Sequence, residues 1–451
     1  MAKSSGDVMM TSGSIWKHIV KFSISLAIGY LFQQLYTTVD SVVVGQFVGK
    51  EALAAIGTTT PIINTLIGFF TGLATGAGVV ISKNYGAQNE KEVEKAVHTS
   101  VLITFILSIF ATLLGVFTVP YMLGFMSTPE AVFGEATEYL VIYFWGIASL
   151  IIYNMGSAIL RAVGDSKRPL YYLICSSVIN VLFDFVFVVS MNMGVAGAAY
   201  ATVLSQIVSA ILVLISLSVS KGMYRLDWKR LSIDKTTLKE ILRIGMPTAL
   251  QQSLTSFSNV FVQSYINAFG SSVMAGWSSY TKIDQFVVIP VNSLSMSITT
   301  FVGQNLGAGE VKRSEKGTYI ANIIAFATTE VIAAVLVIFA PYFIMLFSND
   351  PEVIENGSFL LKIMTPFYTV WGISMIFSGA LCGAGDTRTA TAVKFFSFVI
   401  FRQIYLFVIT KFTDTLFWVV ISYPIGWGIS ALLISWYYIK KKQEIAMRFS
   451  Q

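Results

Sequence analysis

YLICSSVINVLFDFVFVVSM, residues 172–191, is an apolar run of membrane-crossing length with Asn180 and Asp184 inside it. A spanning helix needs about 20 apolar residues, so length alone assigns this stretch to a bilayer. An ionised carboxylate near the bilayer centre costs at least ~2.5–3.5 kcal/mol. A chain that keeps one there must pair it, hydrate it, protonate it or give it a cation. Asn180 and Asp184 are four residues apart, so they share a helix face and can converge on one ligand.

The rest of the 451-residue chain is of the same kind, 55% hydrophobic and only 12% charged, against roughly 25% charged in soluble domains. Continuous apolar runs exclude an outer-membrane barrel, whose strands alternate over about 10 residues. Twelve runs read as spanning helices: 15–46, 52–81, 96–120, 137–161, 169–191, 195–219, 238–267, 274–303, 317–345, 357–381, 388–411 and 413–438. The expected fold class is therefore all-α integral membrane.

Function classes narrow at once. GVVISKNYG (78–86) lacks the lysine–Ser/Thr pairing of a nucleotide loop, which argues against an ATPase. His18 and His98 stand alone and form no metal spacing. No His/Asp or acidic catalytic motif marks an interfacial loop, so an enzyme is not expected. Cys175 and Cys382 fall near cytoplasmic helix ends, which disfavours a disulfide. The opening MAKSSGDVMMTSGS has no short apolar region followed by a cleavage site, so the first helix is expected to be retained.

The net charge of +6 is unevenly placed. Lys83, Lys91 and Lys95, then Arg161, Lys167 and Arg168, then Lys221 to Lys239, then Lys312, Arg313 and Lys316, and finally Lys440 to Lys442 occupy alternate connections. The segments 120–138, 191–195, 268–273 and 341–358 carry no Lys or Arg. The positive-inside rule then puts both termini in the cytoplasm.

The sequence also repeats itself. NYGAQNEKEVEKA from Asn84 returns as NLGAGEVKRSEKG from Asn305, YMLGFMSTPEAV from Tyr121 as YFIMLFSNDPEV from Tyr342, and LRAVGDSKR from Leu160 as LCGAGDTRT from Leu381. The offsets are 221 or 222 and the order is kept, which marks a duplication of six helices. The expected organisation is a lobe at 1–219, a cytoplasmic linker at 220–240 and a second lobe at 241–451. Two six-helix bundles around a central cleft suit a transporter with alternating access.

Three polar groups of the first lobe lie at one depth. Asp40, Asp184 and Thr202 are each six or seven residues inside the outer end of their helix, roughly 10 Å at 1.5 Å per residue. Two carboxylates in one low-dielectric pocket cannot both stay ionised cheaply, so one holds a proton or both face a cation. The alternative is a structural hydrogen-bond cluster that locks the bundle. The second lobe offers Phe261 or Val262 opposite Asp40, and Tyr405 or Leu406 opposite Asp184, so the acidic site belongs to the first lobe only. The second lobe has its own embedded charges, Lys282, Asp284, Glu330 and Arg402; their balance makes internal ion pairs the simplest expectation, with gating or substrate contact as the other reading. Gln33, Gln34, Tyr36 and Thr37 in helix 1, and Gln251, Gln252, Ser256 and Asn259 in helix 7, are cleft candidates, able to meet a lipophilic cation through amide and aromatic groups or to bond between helices instead. Gly164-Asp165 and Gly385-Asp386 read as tight turns with helix caps.

FQQLYTTVDSVVVGQFVGKEALAAIG (32–57), the duplicated turns and the 6+6 helix plan resemble the multidrug and toxic compound extrusion (MATE) transporters, over nearly the whole chain. Acids confined to the N-terminal lobe, with none between Met246 and Asn267, are similar to the DinF-like branch. That resemblance implies a proton- or sodium-binding site at Asp40, Asn180, Asp184 and Thr202, with the backbone carbonyl of Ala198 also involved. It implies a monomeric, cytoplasmic-membrane antiporter that exports amphipathic or cationic drugs, with no cofactor beyond the coupling ion and no nucleic-acid partner. The runner-up is a lipid or lipid-linked oligosaccharide flippase of the same superfamily. One departure is Ser25, which stands where the family commonly has a helix-1 proline, while the second repeat keeps Pro247.

Overall fold

Apolar runs joined by short polar turns give an all-helical chain. The computed structural model describes residues 8–126, 128–413 and 415–449. Twelve long helices follow in order: α1 Ile15–Phe47, α2 Lys50–Gly86, α3 Glu90–Phe125, α4 Glu130–Ala162, α5 Lys167–Ser190, α6 Gly194–Val219, α7 Lys235–Asn267, α8 Ser271–Gly307, α9 Val311–Ile338, α10 Pro351–Gly383, α11 Thr387–Ile409 and α12 Leu416–Ile445. All but α7 are long and apolar enough by themselves to cross a membrane. The exception is the helix that carries Gln251, Gln252, Thr255, Ser256, Ser258 and Asn259. No strand occurs among the described residues.

Contacts divide the described residues into two units. One holds Ser25–Ala249 with Val8 and Met9, and the other holds Met10–Ile24 with Leu250 onward. The first third of α1 thus belongs with the C-terminal helices, and the first half of α7 with the N-terminal ones. In the first unit α4 is the central helix, packed on α2, α3 and α6; in the second α10 takes that place, on α8, α9 and α12. The peripheral helices are studded with exposed apolar side chains: Phe110, Phe117, Tyr121 and Phe125 on α3, and Ile323, Phe326, Val331 and Ile338 on α9. Stripes of this size in water would drive association; here they are the lipid face.

Small residues let the inner helices meet. A Cβ at Gly146 of α4 would lie 2.3 Å from the Val203 side chain of α6, and one at Gly72 of α2 would lie 2.4 Å from the Ala249 backbone of α7. The paired turns behave as their sequence suggests. Gly164 (φ +86°) and Gly385 (φ +82°) adopt the left-handed conformation that favours glycine, and Asp165 Oδ1 accepts from the backbone N–H of Lys167 (3.0 Å) and Arg168 (3.1 Å) to cap α5. Between the repeats, Asp234 caps α7 by accepting from Thr237 N–H and hydroxyl, both at 2.8 Å. These bonds, the backbone one foremost, hold the Asp234 carboxyl below the usual carboxylate range. Cys175 and Cys382 are both free thiols.

Candidate functional site

Three helices of the first unit deliver the polar groups. Asp40 lies seven residues before the end of α1, Asn180 and Asp184 share one face of α5, and Ala198 and Thr202 are one turn apart on α6. All five are buried, Asp184 completely. Just beyond Asp184 the α-helix widens into a π-helical turn, Phe185–Ser190, closed by a bond from Met191 N–H to Val186 O of 2.9 Å. Such wide turns are frequent at functional sites because they re-aim the side chains beside them.

The Asp40 and Asp184 carboxyls lie within hydrogen-bonding reach of each other. Asn180 Nδ2 donates to Thr202 Oγ1 at 3.5 Å. Among the described residues no donor serves Asp40 Oδ1, Asn180 Oδ1 or either oxygen of Asp184. Buried polar atoms are almost always satisfied, so four unserved acceptor oxygens at one place are a specific feature. They form a hard, all-oxygen set, which a proton shared between the carboxyls or a small cation such as Na+ would complete.

The ring of neighbours extends further than the sequence indicated. Tyr139 of α4 is buried beside Asp40, with its hydroxyl in bonding reach of Thr202. Its ring stacks on Tyr143 (6.4 Å, 16°), whose hydroxyl reaches Gln206. Tyr36 lies close to Asp40 and Asp184 and bonds Gln33 and Thr37, so part of the helix-1 cleft set joins the cluster. Gln34 is exposed, away from these bonds. The signal for Tyr139 and Tyr143 was their spacing of four on α4, next to a helix of small residues.

The helix-7 set divides. Gln251 bonds Thr255 (3.0 Å) and Ser256 bonds the Gln252 carbonyl (3.1 Å), all within α7, whereas Asn259 accepts from Arg402 at 3.1 Å. The four embedded charges of the second unit make no ion pair with one another among the described residues. Asp284 is held by the hydroxyls of Tyr280 (3.3 Å) and Tyr368, and Glu330 accepts from Thr369 at 2.5 Å. Lys282 lies over the Phe347 ring and Arg402 over Tyr423. Tyrosine hydroxyls, threonine and aromatic faces do what the sequence assigned to salt bridges.

The MatE family model matches the chain twice, at residues 25–186 and 247–408, a displacement of 222 residues that agrees to within one with the internal repeat. The chain belongs to the MatE family. As a MatE protein it is a membrane-embedded transporter and not an enzyme. Among its relatives, the probable multidrug resistance protein YoeA of Bacillus subtilis is 29% identical, over 96% of each chain. A FAD transporter of Shewanella oneidensis is 24% identical, over 82% of this chain and 83% of its own. An outward-facing multidrug resistance MATE transporter superimposes with a TM-score of 0.92 at 24% identity, covering 99% of this MatE chain and all of its own, which establishes the common fold.

Proposed function

We propose that this transporter is an antiporter of the cytoplasmic membrane, with both termini in the cytoplasm, that exports amphipathic and cationic small molecules against inward flow of H+ or Na+. The observation that carries the reading is the facing pair of buried carboxyls, Asp40 and Asp184, with the unserved oxygens around it. Asp40 and Asp184 hold the coupling ion; Asn180 and Thr202 orient it, and the Ala198 carbonyl adds a further oxygen. A cation bound here removes a repulsion and a desolvation cost that exist only while the site is closed to water. Ion and drug need only prefer different conformations for their fluxes to be coupled. The duplication of lobes 1–219 and 241–451, joined through 220–240, supports alternating access, and a monomer suffices. Gln33, Tyr36 and Thr37, next to the acids, are the cleft residues tied to the coupling site. A multidrug relative and the acidic character of the site favour cationic cargo.

Reconstituted vesicles with imposed pH or sodium gradients, assayed with ethidium and other organic cations, test the reading. Asp40→Asn and Asp184→Asn should reach the membrane folded and lose gradient-driven transport. Wild-type rates in both variants would end the coupling assignment.

A further inference from the structure

We propose that Arg402 is the receptor for an anionic group, a carboxylate or phosphate oxygen, on an aromatic cargo molecule, so that the second unit binds organic anions where the first binds cations. The proposal deepens the export reading and rests on it. Arg402 lies on α11, seven residues before its end and thus roughly 10 Å inside it. Its side chain is buried, with the residue 4% exposed. One guanidinium nitrogen, Nη2, donates to Ser258 Oγ (3.3 Å) and Asn259 Oδ1 (3.1 Å), and the fork lies 4.5 Å from the Tyr423 ring centroid. Nε has no acceptor, and no carboxylate pairs with the group among the described residues. Asp284 is engaged by two tyrosine hydroxyls instead.

A buried guanidinium without a counter-ion is among the most costly groups a fold can carry. The cation–π contact and two neutral acceptors offset only part of that cost. Packing does not require the charge, because the neighbouring Gln403 already ties α11 to α7, donating to Ser258 O (3.1 Å) and Oγ (2.8 Å). The repeat gives the reason for its position. At an offset of 221 or 222 residues Arg402 falls on the place of Val181 or Asn180, while Phe261 or Val262 falls on Asp40 and Tyr405 or Leu406 on Asp184. At the corresponding location the second unit has therefore lost both carboxylates and gained one cation. An arginine fork matches the geometry of carboxylate and phosphate oxygens. Tyr405 Oη, three residues on along the same helix, is also buried without a partner. The Tyr423 ring beside the guanidinium meets Trp277 at 5.9 Å and Trp427 at 6.1 Å, so the aromatic surface continues away from the charge.

Equilibrium binding to the purified full chain tests this with three probes: fluorescein (carboxylate), riboflavin 5′-phosphate (phosphate) and ethidium (cation). The expected result is that the wild type binds at least one anionic probe, and that Arg402→Met weakens it by at least about tenfold while ethidium affinity changes by less than about twofold. Arg402→Lys, which keeps the charge without the fork, should retain part of the anion affinity. Gln403→Leu, which breaks the helix tie alone, should leave anion binding in place. Should Arg402→Met fail to elute as folded protein, Arg402→Lys decides through the same anion-to-cation ratio. No anion binding by the wild type, equal losses for both charge classes, or a Gln403→Leu variant that mimics Arg402→Met would each overturn the proposal. Anion binding without any ethidium binding or transport would leave it standing and sink the cation-export reading instead.

Discussion

Two carboxyl groups pressed together in hydrocarbon hold only if something positive lies between them. In the proposed coupling site Asp40 and Asp184 would meet that condition through a proton or a cation, with the neighbouring hydroxyls setting how firmly it is held. Tyr139 touches the site twice, beside Asp40 and through Thr202. Removing its hydroxyl leaves the acids in place and deletes one bond worth about 0.5–1.5 kcal/mol. Tyr139→Phe should therefore weaken the coupling ion by about two- to tenfold, read as a shift in the ion concentration giving half-maximal transport, with maximal rate preserved. An unchanged midpoint would place Tyr139 outside the site. The acids were legible in the sequence because a carboxylate inside an apolar run is too costly to be incidental. Tyr139 was not, since the chain has 20 tyrosines and most of them serve as amphipathic anchors or packing. The charges of the second unit were legible as buried, but their partners were not, because hydroxyl and ring partners leave no charge pattern to read.

At the scale of elements, helix number and order follow from run length, and the observed bounds of α7 and α8 lie within a few residues of those expected. The π-helical turns at Phe185–Ser190 and Phe396–Ile400 were invisible, because insertion of a residue into a helix does not alter hydrophobicity. Helix contacts at glycine differ in how they can be relieved. At Gly146 the obstruction is the end of the Val203 side chain, whereas at Gly72 it is the Ala249 backbone. Gly146→Ala should cost about 1–3 kcal/mol by overpacking, and Val203→Ala in the same chain should recover much of the loss. Gly72→Ala has no such rescue, since trimming Ala249 to glycine leaves its backbone where it is. Thermal unfolding in detergent of both single variants and both doubles checks this. Equal rescue at the two sites would contradict the distinction between side-chain and backbone obstruction.

For the whole molecule, the duplication was the most legible feature, since three collinear matches at one offset do not arise by chance in a chain of this length. The reciprocal assignment of the opening stretches of α1 and α7 to opposite units was not, because it depends on contacts between distant parts of the chain and not on any local pattern. Ser25 begins the N-terminal unit at that division, and α1 runs through it without a break. Only one repeat carries the paired acids, so the molecule should have one site for the coupling ion despite its two similar halves. A ligand that binds the folded state alone stabilises it by RT ln(1 + [L]/Kd), about 2.7 kcal/mol at one hundred times Kd. Raising NaCl against choline chloride at constant ionic strength should therefore raise the unfolding temperature if sodium is the ion; if it is the proton, stability should instead rise as pH is lowered in choline alone. Asp184→Asn should abolish whichever response is seen, and Arg402→Met should leave it intact. A response that survives Asp184→Asn but disappears with Arg402→Met would move the coupling site to the second unit, and the asymmetry of the repeats would then need a different meaning.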